Sequence, residues 1–171
     1  MKCFYHNDAD GRCAGFWVKH SAPIRDSYPV EFIEISYGTP FPFDAIQPQE
    51  QIYIVDYSIS PEEMLRLLEI TGDVTWIDHH KTAIEKYADF PHYICGVRKD
   101  GIAACMLTYL YFKDIIIIQD PSIRDSRIDA APLFTRLIAD WDVWKFDYGD
   151  ATRMFVTAIN ASGSRNCLPS P

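Results

Sequence analysis

Val74-Thr75-Trp76-Ile77-Asp78-His79-His80-Lys81 is the stretch on which the reading of this chain turns. An apolar, β-branched run that stops abruptly in one carboxylate and two imidazoles is the pattern of a buried strand delivering polar residues to a sheet edge. Taken alone, the stretch also fits an Asp78 that merely caps a helix beginning near Thr82, because Asp is a favoured N-cap. Two other stretches repeat the pattern. Cys3-Phe4-Tyr5 runs into His6-Asn7-Asp8-Ala9-Asp10-Gly11, and Gln51-Ile52-Tyr53-Ile54-Val55 runs into Asp56. Parallel strands about 4.8 Å apart gather three such ends into one cluster. That cluster falls on the rim where open parallel sheets bind ligands.

Asp8 and Asp10, two apart in a tight turn, can aim both carboxylates one way. Acids that close repel each other unless a cation lies between them. A plain Asx turn is the alternative for this pair, and an EF-hand is excluded because no bidentate Glu follows at the right distance.

The remaining segments fill in an α/β alternation. Residues 30–35 alternate like an edge strand, and residues 37–48, rich in Pro and Phe, read as a loop. Ser60-Pro61-Glu62-Glu63 marks a helix start with Ser60 as N-cap, Pro61 at the first helical position and Glu63 closing a capping box. Met64, Leu65, Leu67 and Leu68 are its expected buried face. His92-Tyr93-Ile94-Cys95 is expected as a fifth short strand, residues 102–112 as an apolar helix, and residues 150–161 as the last helix. Residues 129–144 read as one buried helix interrupted by Asp140-Trp141-Asp142, while residues 115–118 fit either a strand or a helix end. The expected fold is a doubly wound α/β domain over residues 1–161, with a mainly parallel five-stranded sheet and helices on both faces. A flexible tail, 162–171, follows, and no second domain is visible.

Composition narrows the function classes. A chain of 171 residues with 48% hydrophobic residues has enough apolar material for one domain core. A net charge of −8 argues against gripping long duplex DNA, which needs a basic face, but leaves open a small anionic substrate held through metal ions. Five cysteines without a CxxC pair favour reduced thiols over a disulfide framework or a thiolate zinc site. Without a signal peptide pattern or an apolar run of membrane-spanning length, the expectation is a soluble, cytoplasmic protein with no membrane partner. A homodimeric form is left open.

His6-Asn7-Asp8-Ala9-Asp10-Gly11, Val55-Asp56, Asp78-His79-His80 and Ala139-Asp140-Trp141-Asp142 together resemble, in order, the four motifs of the DHH phosphoesterase superfamily. That superfamily includes RecJ-type exonucleases, nano-RNases and cyclic-dinucleotide phosphodiesterases, and the resemblance spans roughly residues 2–145. It implies a hydrolase of phosphoester bonds in nucleotides or short single-stranded oligonucleotides. It also implies two divalent cations, Mn²⁺ ahead of Mg²⁺, which suits oxygen and imidazole donors. By the same resemblance, His6, Asp8, Asp10, Asp56, His79 and Asp140 hold the metals, with Asp56 bridging; Asp142 replaces Asp140 if the register is shifted by two. Asp78 orients His79, and His80 contacts the scissile phosphate. His6 lies two residues before Asp8, where some branches place the ligand four before. Relatives mostly carry a second, substrate-binding domain; the sequence here runs about thirty residues past the fourth motif, which fits either a catalytic module alone or one part of a longer protein.

Arg98 is read as a further substrate contact, with a solvated loop as its alternative, and Lys81 is similarly open. Two competing functions fit parts of the pattern. A degenerate DHH module would bind nucleotides without hydrolysis. A phospho-receiver domain would use Asp8, Asp10 and Asp56, but it wants Ser or Thr after the fourth strand, where this chain has Asp78-His79-His80.

Overall fold

A computed structural model describes residues 1–23, 28–113 and 126–161, without the side chains of residues 126 and 127. Strands β1 (Lys2–His6), β2 (Glu31–Ile35), β3 (Ile52–Val55) and β4 (Val74–Ile77) form an all-parallel sheet in the order β2-β1-β3-β4. The helices are α1 (Ala9–Ser21), α2 (Pro61–Ile70), α3 (Lys81–Lys86), α4 (Ala104–Phe112), α5 (Ser126–Asp129), α6 (Leu133–Asp142) and α7 (Asp150–Ala161).

Strand alternation sorts side chains to the two faces of the sheet. Cys3, Tyr53, Val55 and Ile77 point to a core shared with α1, α4, α6 and α7. Phe4, Ile52, Ile54, Val74 and Trp76 point to a second core closed by α2 and α3. Both β3 and β4 are buried along their whole length, with Thr75 the one non-aromatic polar residue in them, whereas β2, at the edge, keeps Glu31 exposed. The capping box of α2 forms as the sequence predicts. Ser60 Oγ accepts from Glu63 N at 3.2 Å, and Glu63 Oε2 accepts from Ser60 N at 2.8 Å. Met64 and Leu67 bury the inner face of that helix, while Leu65 turns outward, because its phase carries it past the core-facing stripe.

Two expectations are corrected. Residues 92–98 do not form a fifth strand; they touch β4 through two isolated bridges, Thr75 with Cys95 and Asp78 with Arg98. Gly96 breaks the ladder at φ 106°, and any Cβ there would lie 2.1 Å from the Trp76 carbonyl oxygen. Arg98 fastens the segment instead. Its guanidinium donates to the carbonyls of Trp76, Cys95 and Ile94 at 3.0–3.1 Å and lies 5.3 Å from the Trp76 ring centroid.

The helix expected over residues 129–144 begins only at Leu133, as α6, and α5 ends before it at Asp129, because Pro132 disfavours helical backbone in Ala131. Helix α6 then runs unbroken to Asp142. Residues 115–118 and the tail 162–171 lie outside the described residues. Among the described residues, no helix is long and apolar enough to cross a membrane. Cys3, Cys13 and Cys105 are buried free thiols, and Cys95 is an exposed one.

Candidate metal centre

The carboxyl ends of β1, β3 and β4 open on the same side, and the acids that follow them meet there. Asp8 caps α1, its Oδ1 accepting from Gly11 N at 2.9 Å. That turn needs glycine, since a Cβ at Gly11 would stand 2.2 Å from the His6 carbonyl oxygen. Asp8 Oδ2 lies 2.8 Å from His6 Nδ1. Burial works against ionisation of Asp8, but the hydrogen bonds from His6 and Gly11 outweigh it and hold the carboxyl down at about 2.

Asp10, buried in the first turn of α1, reaches across to α4. Its Oδ2 accepts from Ala104 N at 2.8 Å and its Oδ1 from Cys105 N at 2.9 Å. Ala103, the N-cap of α4, has no side chain that could cap the helix itself, so Asp10 serves as a cap from a neighbouring element. Asp56 follows β3 in the left-handed region at φ 52°, a conformation Asp tolerates better than most residues. Only 1% of it is exposed, and its buried Oδ1 has no hydrogen-bond partner.

At the end of β4, Asp78 is fully buried and holds the double-histidine turn. Its Oδ1 accepts from His79 N at 2.8 Å and His80 N at 3.3 Å, and pairs with His80 Nδ1 at 2.7 Å. The residue thus orients His80, not the ring of His79 as the sequence reading held. The His79 ring is aimed by its surroundings: its Nε2 lies 3.3 Å from Asp56 Oδ1, 3.4 Å from Asp142 Oδ2 and 3.7 Å from Asp10 Oδ2.

Asp142 ends α6 and brings that helix's negative C-terminal dipole toward the cluster, a favourable field for a cation. Its Oδ2 is also buried without a partner. Burial, followed by repulsion from Asp10 and Asp8, pushes the Asp142 carboxyl up to about 8. Asp56 is pushed up by burial and then by the same two acids. Three donor groups have ligand atoms within 4.8 Å of one another: His6-Asp8-Asp56, Asp56-His79-His80 and Asp10-His79-Asp142.

Two residues singled out in the sequence lie elsewhere. Asp140 faces away from the cluster: it accepts from Asp147 N at 2.8 Å, from Tyr148 N at 3.4 Å and from the Thr152 hydroxyl, tying α6 to the start of α7. The register shift of two therefore brings Asp142, not Asp140, to His79. Arg98 gives three of its N–H groups to main-chain carbonyls, which makes it a fastener of the segment 92–98.

One neighbour of the site went unread. Tyr37, half-exposed in the loop after β2, has its ring 5.4 Å from His6, 6.0 Å from His80 and 4.8 Å from Tyr57, stacked on the last. A single tyrosine in a Pro- and Phe-rich loop carries no periodic signal that would have marked it.

The donor set suits hard divalent cations: carboxylates and imidazoles, no thiolate, and two buried oxygens without a hydrogen bond. Among the described residues, no lysine or arginine pairs with Asp8, Asp10, Asp56 or Asp142, so positive charge is what the cluster lacks.

No family model matches the chain, and no curated protein does. A crystal structure of an uncharacterized protein from Helicobacter pylori G27 is similar, with a TM-score of 0.59 and 17% identity over 95% of this chain and 48% of that one. A likeness at that identity concerns the fold, and the chain spans about half the length of the protein it matches.

Proposed function

We propose that the protein is a metal-dependent phosphoesterase of the DHH type that hydrolyses phosphate esters of nucleotides or short oligonucleotides. The observation that carries this reading is the pair of buried, unpartnered oxygens, Asp56 Oδ1 and Asp142 Oδ2, which face His79 Nε2 at 3.3 and 3.4 Å. Buried carboxylate oxygens without donors are rare and unfavourable unless a cation completes them.

Two divalent cations fit, with Mn²⁺ ahead of Mg²⁺. His6 and Asp8 would hold one, Asp10, His79 and Asp142 the other, and Asp56, grouped with His6 and Asp8 and also within 3.3 Å of His79, would serve both. Such ions supply Lewis acidity, lowering the pKa of a water and neutralising phosphoryl charge. Asp78 has its own part: its hydrogen bond pushes the His80 imidazole up, which favours the protonated ring and presents a positive donor to a phosphoryl oxygen. Asp10 is pinned by two backbone N–H groups, so one carboxylate of the site is held in place by the fold itself.

The test is calorimetric titration of Mn²⁺ into metal-stripped wild type and Asp56→Ala, paired with turnover of a dinucleotide, a cyclic dinucleotide, a nucleoside bisphosphate and pyrophosphate. Two Mn²⁺ per chain, both weakened in the variant, together with hydrolysis of one of these compounds, is the expected result. Undiminished stoichiometry and affinity in Asp56→Ala, or no turnover of any compound by the Mn²⁺-loaded chain, would sink the proposal.

A further inference from the structure

Helix α6 separates two openings. Ile138, Trp141 and Asp142 face a small cavity of about 90 Å³ that belongs to the metal centre. The opposite face, with Arg136, Ala139 and Val143, looks into a larger cavity of about 380 Å³. That volume lies in the range of small-molecule sites. Its floor is apolar, made by Ile102 just before α4, Met106 in the first turn of that helix and Val143 at the C-cap of α6. Its polar groups are Arg136, Lys145, Asp147, Asp129 and Tyr148, together with Asp140.

The hydrogen-bond inventory of these groups is uneven. Asp140 is used up by Asp147 N, Tyr148 N and the Thr152 hydroxyl. Asp129 and Asp147 are exposed, so water screens their charge. Arg136 is left underused: its Nη1 donates to the Tyr148 hydroxyl over a long 3.4 Å, and its guanidinium lies 5.6 Å from the tyrosine ring. Its Nε is shut away from solvent with no partner, and among the described residues no carboxylate pairs with it. A guanidinium binds a carboxylate best along the edge that includes Nε, through two parallel N–H donors.

We propose that this cavity is a second ligand site, distinct from the metal centre, which takes a small organic anion: a carboxylate on an apolar body. The carboxylate meets the Nε edge of Arg136 after a small turn of that half-buried side chain, Lys145 adds a second positive charge at the rim, and the apolar body rests on Ile102, Met106 and Val143. The site touches both elements that serve the metal centre, since Ala104 N and Cys105 N of α4 hold Asp10, and α6 carries Asp142. This inference does not rest on hydrolytic activity.

The experiment is an amide-resolved NMR titration of the full chain in Mg²⁺ buffer with benzoate and with its neutral isostere benzamide. Benzoate should give saturable shifts centred on Ile102, Met106 and Val143, with benzamide at least about tenfold weaker. Arg136→Gln should weaken benzoate by about tenfold and leave benzamide unchanged. If that variant loses its native spectrum, Lys145→Gln, at an exposed position, should still weaken benzoate several-fold. Equal binding of the two probes, shifts centred on His79 and Asp142, or undiminished benzoate binding in the folded variants would overturn the proposal. Whichever result is obtained, the phosphoesterase reading stands or falls on its own assay.

Discussion

Replacing Asp142 by asparagine should stabilise the metal-free protein while removing its response to metal. In the folded chain, burial and the nearby Asp10 and Asp8 push this carboxyl from 3.8 up to about 8. A raised carboxyl contributes stability that is fully present below its unfolded value near 4 and is lost as pH rises through 8. The whole displacement corresponds to at most about 6 kcal/mol, and less where neighbouring acids relieve one another by sharing protons. Half of that, about 3 kcal/mol, moves Tm by roughly 6–12 °C in a chain of this size.

Asparagine keeps the shape of the neutral acid and carries no charge at any pH. In EDTA, then, wild-type Tm should fall steadily between pH 5 and pH 8, and Asp142→Asn should melt higher at pH 8 with a shallower slope. The residual slope comes from Asp56, which burial also raises. With excess Mn²⁺ the order reverses at pH 8, because the wild type gains stability by binding and the variant gains little. Thermal melts at four pH values with and without Mn²⁺ suffice. A variant that melts at or below wild type in EDTA at pH 8 would refute the claim that repulsion among these acids is what a cation relieves.

Asp140→Asn should destabilise the fold by about 2–3 kcal/mol, since it sets an amide donor against the N–H of Asp147 or Tyr148 or the hydroxyl of Thr152, yet leave Mn²⁺ affinity within about twofold; a large loss of Mn²⁺ binding would return Asp140 to the metal site. Tyr37→Ala, which removes the ring beside His6 and His80, should raise KM roughly tenfold with little change in Mn²⁺ binding, and an unaltered KM would show that the ring lies outside the substrate's reach. Gly96→Ala should cost about 1–3 kcal/mol in urea denaturation, because its Cβ meets the Trp76 carbonyl and the backbone there is left-handed. Wild-type stability in that variant would mean that the crossing beside β4 is looser than its geometry indicates.

The gathering of Asp8, Asp10, Asp56 and His79 could be read from the sequence because an apolar run ending in an acid has one meaning in a parallel sheet: the acid lands on the carboxyl edge. Strand alternation then places whole strands without knowledge of any partner. The choice between Asp140 and Asp142 could not be read that way. A helix turns 100° per residue, so the side that each acid faces depends on where α6 begins, and Pro132 moves that start away from the long helix expected over 129–144. Asp78 shows a different limit, since whether its carboxylate meets His79 or His80 depends on side-chain torsions that spacing does not encode. Arg98 had the composition of a phosphate contact, and only the three nearby carbonyls reveal that most of its donors fasten the chain beside β4. Tyr37 reaches the site through loop geometry, for which sequence has no period.

The irregular crossing at residues 92–98 has a consequence for how copies of this chain can meet. Cys95 O and Val97 O accept from Trp76 N and Asp78 N, and Lys99 N donates to Asp78 O, so the outer rim of β4 presents filled backbone positions to its surroundings. A regular fifth strand would only have moved the open rim outward by one strand, exposing a fresh template for fibre-like growth. A segment kinked at Gly96 and clasped by Arg98 offers no such template. On the other flank, β2 pairs only with β1 among the described residues, and it carries the exposed charge of Glu31, while Glu34 is held by Arg12 at 2.9 Å. Among the described residues, the sheet is therefore terminated by shape on one side and bears an exposed charge on the other.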